Sequence, residues 1–269
     1  MGNTEQKPVC LITGASAGIG AALAWEFASA GWNLALIARR KPPMVKLAQD
    51  LKIEYGTKSH IIAADLSKPG ACTDILGRLA KQKVTIDGLV NNAGYGMSGQ
   101  FLDNDWQAHK DFLRLMLEAP TEMSHLVLGH MKAQGFGRII NVASLAGHIP
   151  GSRGHTLYSA VKTYLIKFSQ SLNLELSPYG IKVSALCPGF TMSEFHDVNG
   201  TRGAVRKLPD FMWMSAEEVA ESGFLALERN KAVYIPGAVN NAIALFARLI
   251  PASWALKLMN KNSDKIRKG

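Results

Sequence analysis

Tyr158 and Lys162 stand four apart in the stretch Tyr158-Ser159-Ala160-Val161-Lys162. On a helix that spacing puts the phenol and the ammonium one turn apart on a single face. A cation fixed beside a phenol favours the phenolate and lowers a pKa that starts near ~10. The pair predicts a phenol that gives or takes a proton near neutral pH. Ser144 lies fourteen residues earlier, at the end of the apolar run Arg138-Ile139-Ile140-Asn141-Val142-Ala143. A hydroxyl delivered by a strand end can donate to a carbonyl oxygen as that oxygen gains charge. His148 and His155 lie between Ser144 and Tyr158 and receive no role.

Two other stretches suit a dinucleotide. The run Val9-Cys10-Leu11-Ile12 has the continuous apolar character of a strand buried on both faces. It opens into Thr13-Gly14-Ala15-Ser16-Ala17-Gly18-Ile19-Gly20, with glycines spaced Gly-x3-Gly-x-Gly. Such glycines let the backbone turn sharply and approach a pyrophosphate at a helix N-terminus, where free N–H groups favour an anion. A helix over 21–30 follows, stopped by Gly31. The second buried run, Asn33 to Ala38, ends in Arg39-Arg40 rather than in the acid that binds a ribose 2′-OH in many NAD enzymes. An arginine grips a 2′-phosphate with a bidentate fork. NADP(H) is therefore the expected cofactor, with Arg39 as main contact and Arg40 as secondary or stacking partner.

The Gly-rich turn, Asn91-Asn92-Ala93-Gly94, Ser144 and the Tyr158–Lys162 pair, in this order, resemble the short-chain dehydrogenase/reductase family from about Lys7 to Gly237. The resemblance implies that Gly14, Ser16, Ala17, Gly18, Ile19 and Gly20 cradle the cofactor. It also implies that Asp65 accepts from the adenine amino group and that Leu66 covers the ring. A turn or helix-capping role for Asp65 stands equally open, since Ser67 and Pro69 are near. Asn92, Ala93 and Gly94 would let the nucleotide lie against backbone, Tyr158 would contact the cofactor, Lys162 would hold the nicotinamide ribose, and Pro188, Gly189 and Thr191 would hold the carboxamide. Three positions depart from the family pattern. Ala17 replaces a base that some NADP-preferring relatives carry, and Ser193 stands where threonine is common. Met116 occupies the place of an asparagine that joins a proton relay, and a thioether cannot hold the water of such a relay.

The elements that must position these residues follow from the alternation of short apolar runs with helical patterns: a single-domain α/β fold, a doubly wound parallel sheet of about seven strands. The seventh strand falls at Ala232 to Ile235. The division is a Rossmann-like dinucleotide-binding and catalytic domain over 1–237 and a hydrophobic, basic extension over 238–269. A length of 269 residues with 47% hydrophobic and 19% charged content fits one soluble globule. Three scattered cysteines without metal spacing suggest a reduced, cytoplasmic setting and no metal site. The net charge of +9 comes without a basic, aromatic-interleaved element, which argues against nucleic acid and for an anionic cofactor or membrane surface. Residues 195–214 have the mixed apolar character of a lid over an apolar substrate. The family resemblance also implies that the helix after Tyr158 pairs subunits, as a homodimer or homotetramer. For Ala242 to Met259, broken by Pro251, two readings are open: an interfacial helix pair on anionic lipid, and the preferred one, a hydrophobic cap over the site or a partner subunit. The expected activity is interconversion of a carbonyl and an alcohol by hydride transfer. The alternatives are a nucleotide-binding regulatory protein with weak turnover, or a membrane-associated reductase of steroid or acyl-chain carbonyls.

Overall fold

The computed structural model describes residues 7–97, 99–192, 209–251, 253–254 and 256–257. Its strands are β1 (Val9–Thr13), β2 (Asn33–Ala38), β3 (Ser59–Ala63), β4 (Gly88–Asn91), β5 (Gly137–Val142), β6 (Ile181–Leu186), β7 (Phe190–Met192), β8 (Trp213–Ser215) and β9 (Val233–Tyr234). Seven of them form one parallel sheet in the order β3-β2-β1-β4-β5-β6-β9, and β7 pairs separately with β8. The chain builds outward from β1 to β3, then returns to place β4 on the other side of β1. At that reversal the connections diverge and leave a crevice at the carboxyl ends of β1 and β4, where open α/β sheets bind ligands.

Helices α1 (Gly18–Ser29), α2 (Lys41–Tyr55) and α7 (Ala216–Glu228) cover one face, and α3 (Ala71–Lys81), α5 (Ala119–Gln134) and α6 (Thr156–Leu176) cover the other. The two cores explain the apolar runs: Leu11, Leu34, Leu36 and Val183 are fully buried because sheet residues of either orientation meet a helix layer. The expected helix over 21–30 in fact begins at Gly18, so the last two glycines of the turn belong to its first turn. The expected seventh strand shrinks to Val233–Tyr234, paired with Ala185 and Leu186.

The long helix expected from Trp106 to Gln134 is present but interrupted. α4 (Trp106–Leu113), capped by Asp105 on the Ala108 N–H at 2.7 Å, runs into a π turn over Arg114–Glu118 and then into α5. Such wide turns are frequent at functional sites, and Met116 sits within this one, 2% exposed. The lid expectation over 195–214 falls largely outside the described residues, as does Ser193. The described part of that stretch is docked: β8 pairs with β7, and the Trp213 ring lies 5.6 Å from that of Phe190. The helix α8 (Ala238–Leu249) follows Gly237.

Candidate active site

β1 stops at Thr13 and α1 starts at Gly18, so the Gly-rich stretch turns the chain directly onto a helix N-terminus. Gly14 sits at φ +68°, and a Cβ there would fall 2.6 Å from Asn92 Nδ2; one on Gly20 would strike the same amide and the Gly14 carbonyl. The amide fills that space because it holds the turn. Asn92 Nδ2 donates to Thr13 O at 3.0 Å and Gly14 O at 3.2 Å. The Asn92 and Ala93 N–H groups both donate to Thr13 Oγ1, at 2.9 and 3.1 Å. Gly94 lies under Met116, whose Sδ would be 2.7 Å from an added Cβ. Ser16, Ala17 and Ile19 keep part of their surface open, and the first amides of α1 face the crevice end of β1 with no capping side chain.

Along the carboxyl edge, Arg39 and Arg40 leave β2 exposed. Arg40 Nη2 reaches the Gly-rich turn and donates to Ser16 Oγ at 3.4 Å. Asp65 follows β3 and has the turn role: its Oδ1 accepts from Ser67 N at 3.0 Å and Ser67 Oγ at 2.8 Å. Burial works to raise the Asp65 pKa, but the Ser67 hydrogen bonds, aided by nearby Lys68 and Arg39, outweigh it and hold the carboxyl below its ordinary value. Leu66 is 7% exposed and belongs to the core, which leaves little of it to cover a ring.

β5 delivers Ser144 in extended conformation, and α6 presents Tyr158 and Lys162 beside it. Tyr158 stands beside Ser144, whose hydroxyl favours the phenolate. Ser144 Oγ accepts from Ala146 N at 3.1 Å and lies 3.5 Å from the Pro188 carbonyl, which also receives the Leu145 N–H at 2.8 Å. That carbonyl begins the turn Pro188-Gly189, and the Thr191 hydroxyl closes it on Gly189 O at 3.3 Å. Ser144, Tyr158 and the Pro188 turn therefore meet at one edge.

One expectation fails here. Lys162 does lie against the phenol ring, its Nζ 5.5 Å from the ring centroid, but it donates to Val142 O at 2.8 Å. Burial pushes the Tyr158 pKa up to about 12, only partly offset by the Ser144 hydroxyl. Burial also brings Lys162 down to about 8, with Cys187 working weakly the other way. A pocket that excludes water penalises both charges, and that penalty exceeds the benefit of the neighbouring cation.

The match to known proteins decides the family. Residues 8–202 fit the family model described as short chain dehydrogenase. The chain belongs to the short-chain dehydrogenase family. It is 32% identical over 244 residues to the oxidoreductase YxjF of Bacillus subtilis, covering 85% of this chain and 94% of the relative. A short-chain dehydrogenase from Sphingobium yanoikuyae, solved in complex with NADPH, superposes with a TM-score of 0.78 at 33% identity, covering 91% of this chain and 96% of that one. The bulky-bulky ketone specific alcohol dehydrogenase of Comamonas testosteroni gives a TM-score of 0.74 at 33% identity, covering 91% and 95%. The protein is thus an oxidoreductase of this family, with its Rossmann-like sheet.

Within this short-chain dehydrogenase, the amides of Asn91-Asn92 suit the bracing of neighbouring strands, but the partners through which Asn91 holds the catalytic helix, Asn141 and Ser169, were not read from sequence. Asn91 and Asn141 are register partners on β4 and β5, and Asn91 Nδ2 donates to Asn141 Oδ1 at 2.8 Å. Asn141 Nδ2 donates to Ser169 Oγ on α6 at 2.9 Å, and Asn91 Nδ2 also reaches Ser124 Oγ on α5 at 3.2 Å. This chain of buried polar groups crosses the sheet and fixes α5 and α6 to its middle strands. Its one local signal is Asn141, a polar residue inside an otherwise apolar run. A recess beside Tyr158 is lined by Met97, Phe101, His109, His155 and Leu157. A second, inner recess joins Thr13, Met116 and Lys162. His148 is buried at Nε2 without a partner, and burial lowers its pKa.

Proposed function

We propose that this oxidoreductase uses NADP(H) to interconvert a carbonyl and an alcohol on an apolar substrate, with Ser144, Tyr158 and Lys162 as its catalytic residues. The observation that carries the reading is their convergence at the carboxyl edge, with the Tyr158 phenol beside the Ser144 hydroxyl and Lys162 against the same ring. The cradle fits a dinucleotide: Gly14 and Gly20 leave no room for a side chain, and the amides of Gly18, Ile19 and Gly20 are free for a pyrophosphate. Ala93 and Gly94 would lie along the nucleotide, Asp65 and Leu66 at its adenine end, and Pro188, Gly189 and Thr191 at its carboxamide end. When bound, NADPH supplies the hydride.

Ser144 and Tyr158 would both donate to the substrate oxygen, polarising the carbonyl and stabilising the charge that grows there. Tyr158 then releases its proton to the new alkoxide. With its pKa pushed up to about 12, Tyr158 is fully protonated at neutral pH, the form that reduction requires. Lys162, charged below about pH 8, compensates the phenolate left behind. The Met97, Phe101 and Leu157 side chains beside Tyr158 favour an apolar substrate body. Met116 supplies no polar group to Lys162, so reprotonation must pass by another route.

Arg39 and Arg40, exposed beside Ser16, support NADP(H) over NAD(H). The test is a titration of NADPH and NADH into wild type and Arg39→Ala, followed by nicotinamide fluorescence. Loss of a charged phosphate contact should weaken NADPH on the order of tenfold to a hundredfold and leave NADH nearly unchanged. Tighter NADH binding in both proteins overturns the cofactor assignment. A panel of ketones and aldehydes with the preferred cofactor then tests the reaction; tight binding with no turnover favours the regulatory alternative.

A further inference from the structure

The helix α8 is amphipathic in the wrong sense for a buried element. Its inward face is Asn240 and Ala244, 4% and 8% exposed. Asn240 is fixed there, since its Nδ2 donates to Pro236 O at 2.8 Å and the residue abuts Gly189. The outward face carries Val239, Leu245, Phe246 and Leu249, and Leu249 is 73% exposed. Beyond the break at Pro251, Trp254 and Leu256 are exposed as well. A surface helix ordinarily turns its apolar stripe to the core. Here the stripe faces away from both the core and the Pro188 turn, so the described part of the extension does not cap the site.

Charge indicates what covers the stripe. No acidic residue occurs over 229–263, while Arg229, Lys231, Arg248, Lys257 and Lys261 all fall in that span. A second copy laid on this face would bring its own Arg248 and Lys257 toward the same residues, at a Coulombic cost. An anionic lipid surface offers both an apolar layer and negative headgroups. The length agrees with lying on a bilayer and not crossing one: twelve residues make about 18 Å of helix against a hydrocarbon core of about 30 Å. Among the described residues no helix is long and apolar enough to cross a membrane. Trp254 is of the type enriched at membrane–water interfaces.

We infer that the outward face of α8, with Trp254 and Leu256, binds an anionic lipid surface. α8 begins at the carboxyl edge of the sheet, against the Pro188-Gly189 turn, so docking would hold the active-site edge near the headgroups. That position suits the apolar substrate proposed above, although the surface binding itself does not depend on that reading.

The test is flotation of the full chain with vesicles of phosphatidylcholine alone and of phosphatidylcholine with phosphatidylglycerol, at low and high salt. Wild type should float with the anionic vesicles at low salt and be released in part as salt rises. Phe246→Glu combined with Leu249→Glu should abolish flotation while circular dichroism and thermal melting stay those of wild type. Arg248→Gln should weaken binding about fivefold, the effect of one basic residue at an anionic surface. Absence of flotation at low salt overturns the proposal, as does flotation unchanged by the double substitution. A dimer that the double substitution splits, with no vesicle binding by either form, assigns the face to a second copy instead.

Discussion

The two sides of the active-site crevice are built from opposite materials. The Gly-rich side is backbone and neutral amide: Asn92 clamps Gly14, and the hydroxyl of Thr13 gathers two N–H groups. The Thr13 hydroxyl and the Asn92 amide both have partners there, so the turn gains stability from its own architecture. The Tyr158–Lys162 side buries two ionisable groups whose charged forms are both disfavoured. It is stable only because the surrounding fold over-determines it, and its reactivity comes from that cost. Damage to the first side should appear as lost folding or cofactor binding, and damage to the second as lost chemistry with folding intact.

The largest expected effect is on the second side. Tyr158→Phe should lower kcat by ~10²–10⁴-fold, the weight of a positioned general acid, with NADPH affinity held within a few-fold in fluorescence titration. A parallel loss of binding would mean that the hydroxyl acts mainly through its contact with the cofactor and not as the proton donor. On the first side, Gly14→Val faces both the positive φ and the Asn92 amide. It should abolish NADPH binding and lower the melting temperature measurably in a calorimetric scan; retained affinity would show that the turn can open.

A smaller effect joins the two sides. Asn141→Leu takes one hydrogen bond from the Asn91 amide, which keeps Ser124 Oγ and Pro120 O, and one from the Ser169 hydroxyl, which keeps Leu165 O, at about 0.5–1.5 kcal/mol each. Urea unfolding should register that loss, and kcat should fall with it because α6 is no longer pinned to β5. Unchanged kcat in a folded variant would make the network purely structural.

The smallest effect is thermodynamic and separates the sides by sign. Lys162 is depressed from 10.5 to about 8 in the folded protein, so unfolding takes up a proton between those values. Stability from this group therefore rises with pH across that window, and the burial penalty is fully present below about pH 8. Lys162→Met should be at least as stable as wild type at pH 7 in urea titrations, with its advantage shrinking toward pH 10. A variant less stable at pH 7 would show that the hydrogen bond to Val142 outweighs the burial of the charge.

Much of this was legible in sequence for a physical reason. The strands show as apolar runs because parallel strands are buried on both faces, and each run ends where Gly14, Asn91, Ser144 or Pro188 brings the chain to the ligand edge. Those residue types are local signals of local geometry. What stayed hidden depends on distant partners. The pairing of Asn91 with Asn141 and Ser169 spans three elements, and nothing near any one of them announces the other two. The π turn around Met116 has its mark in Pro120, which offers no N–H to the Met116 carbonyl four residues back, a signal that the continuous helical pattern overrode. The Tyr158 pKa was misjudged because spacing reveals the neighbouring lysine and conceals the desolvation. The outward apolar face of α8 had the composition of a cap, and only its rotation relative to Asn240 shows otherwise.

The most direct test of the central claim is the pH dependence of NADPH-driven ketone reduction in wild type, Lys162→Arg and Tyr158→Phe. The account predicts a wild-type kcat/KM that falls as pH climbs through about 8, where Lys162 loses its charge while Tyr158 remains protonated. Lys162→Arg, charged throughout, should show no such fall at whatever rate it retains, and Tyr158→Phe should be nearly inactive at every pH. A fall that persists unchanged in Lys162→Arg, or substantial turnover by Tyr158→Phe, would contradict the proposed pair.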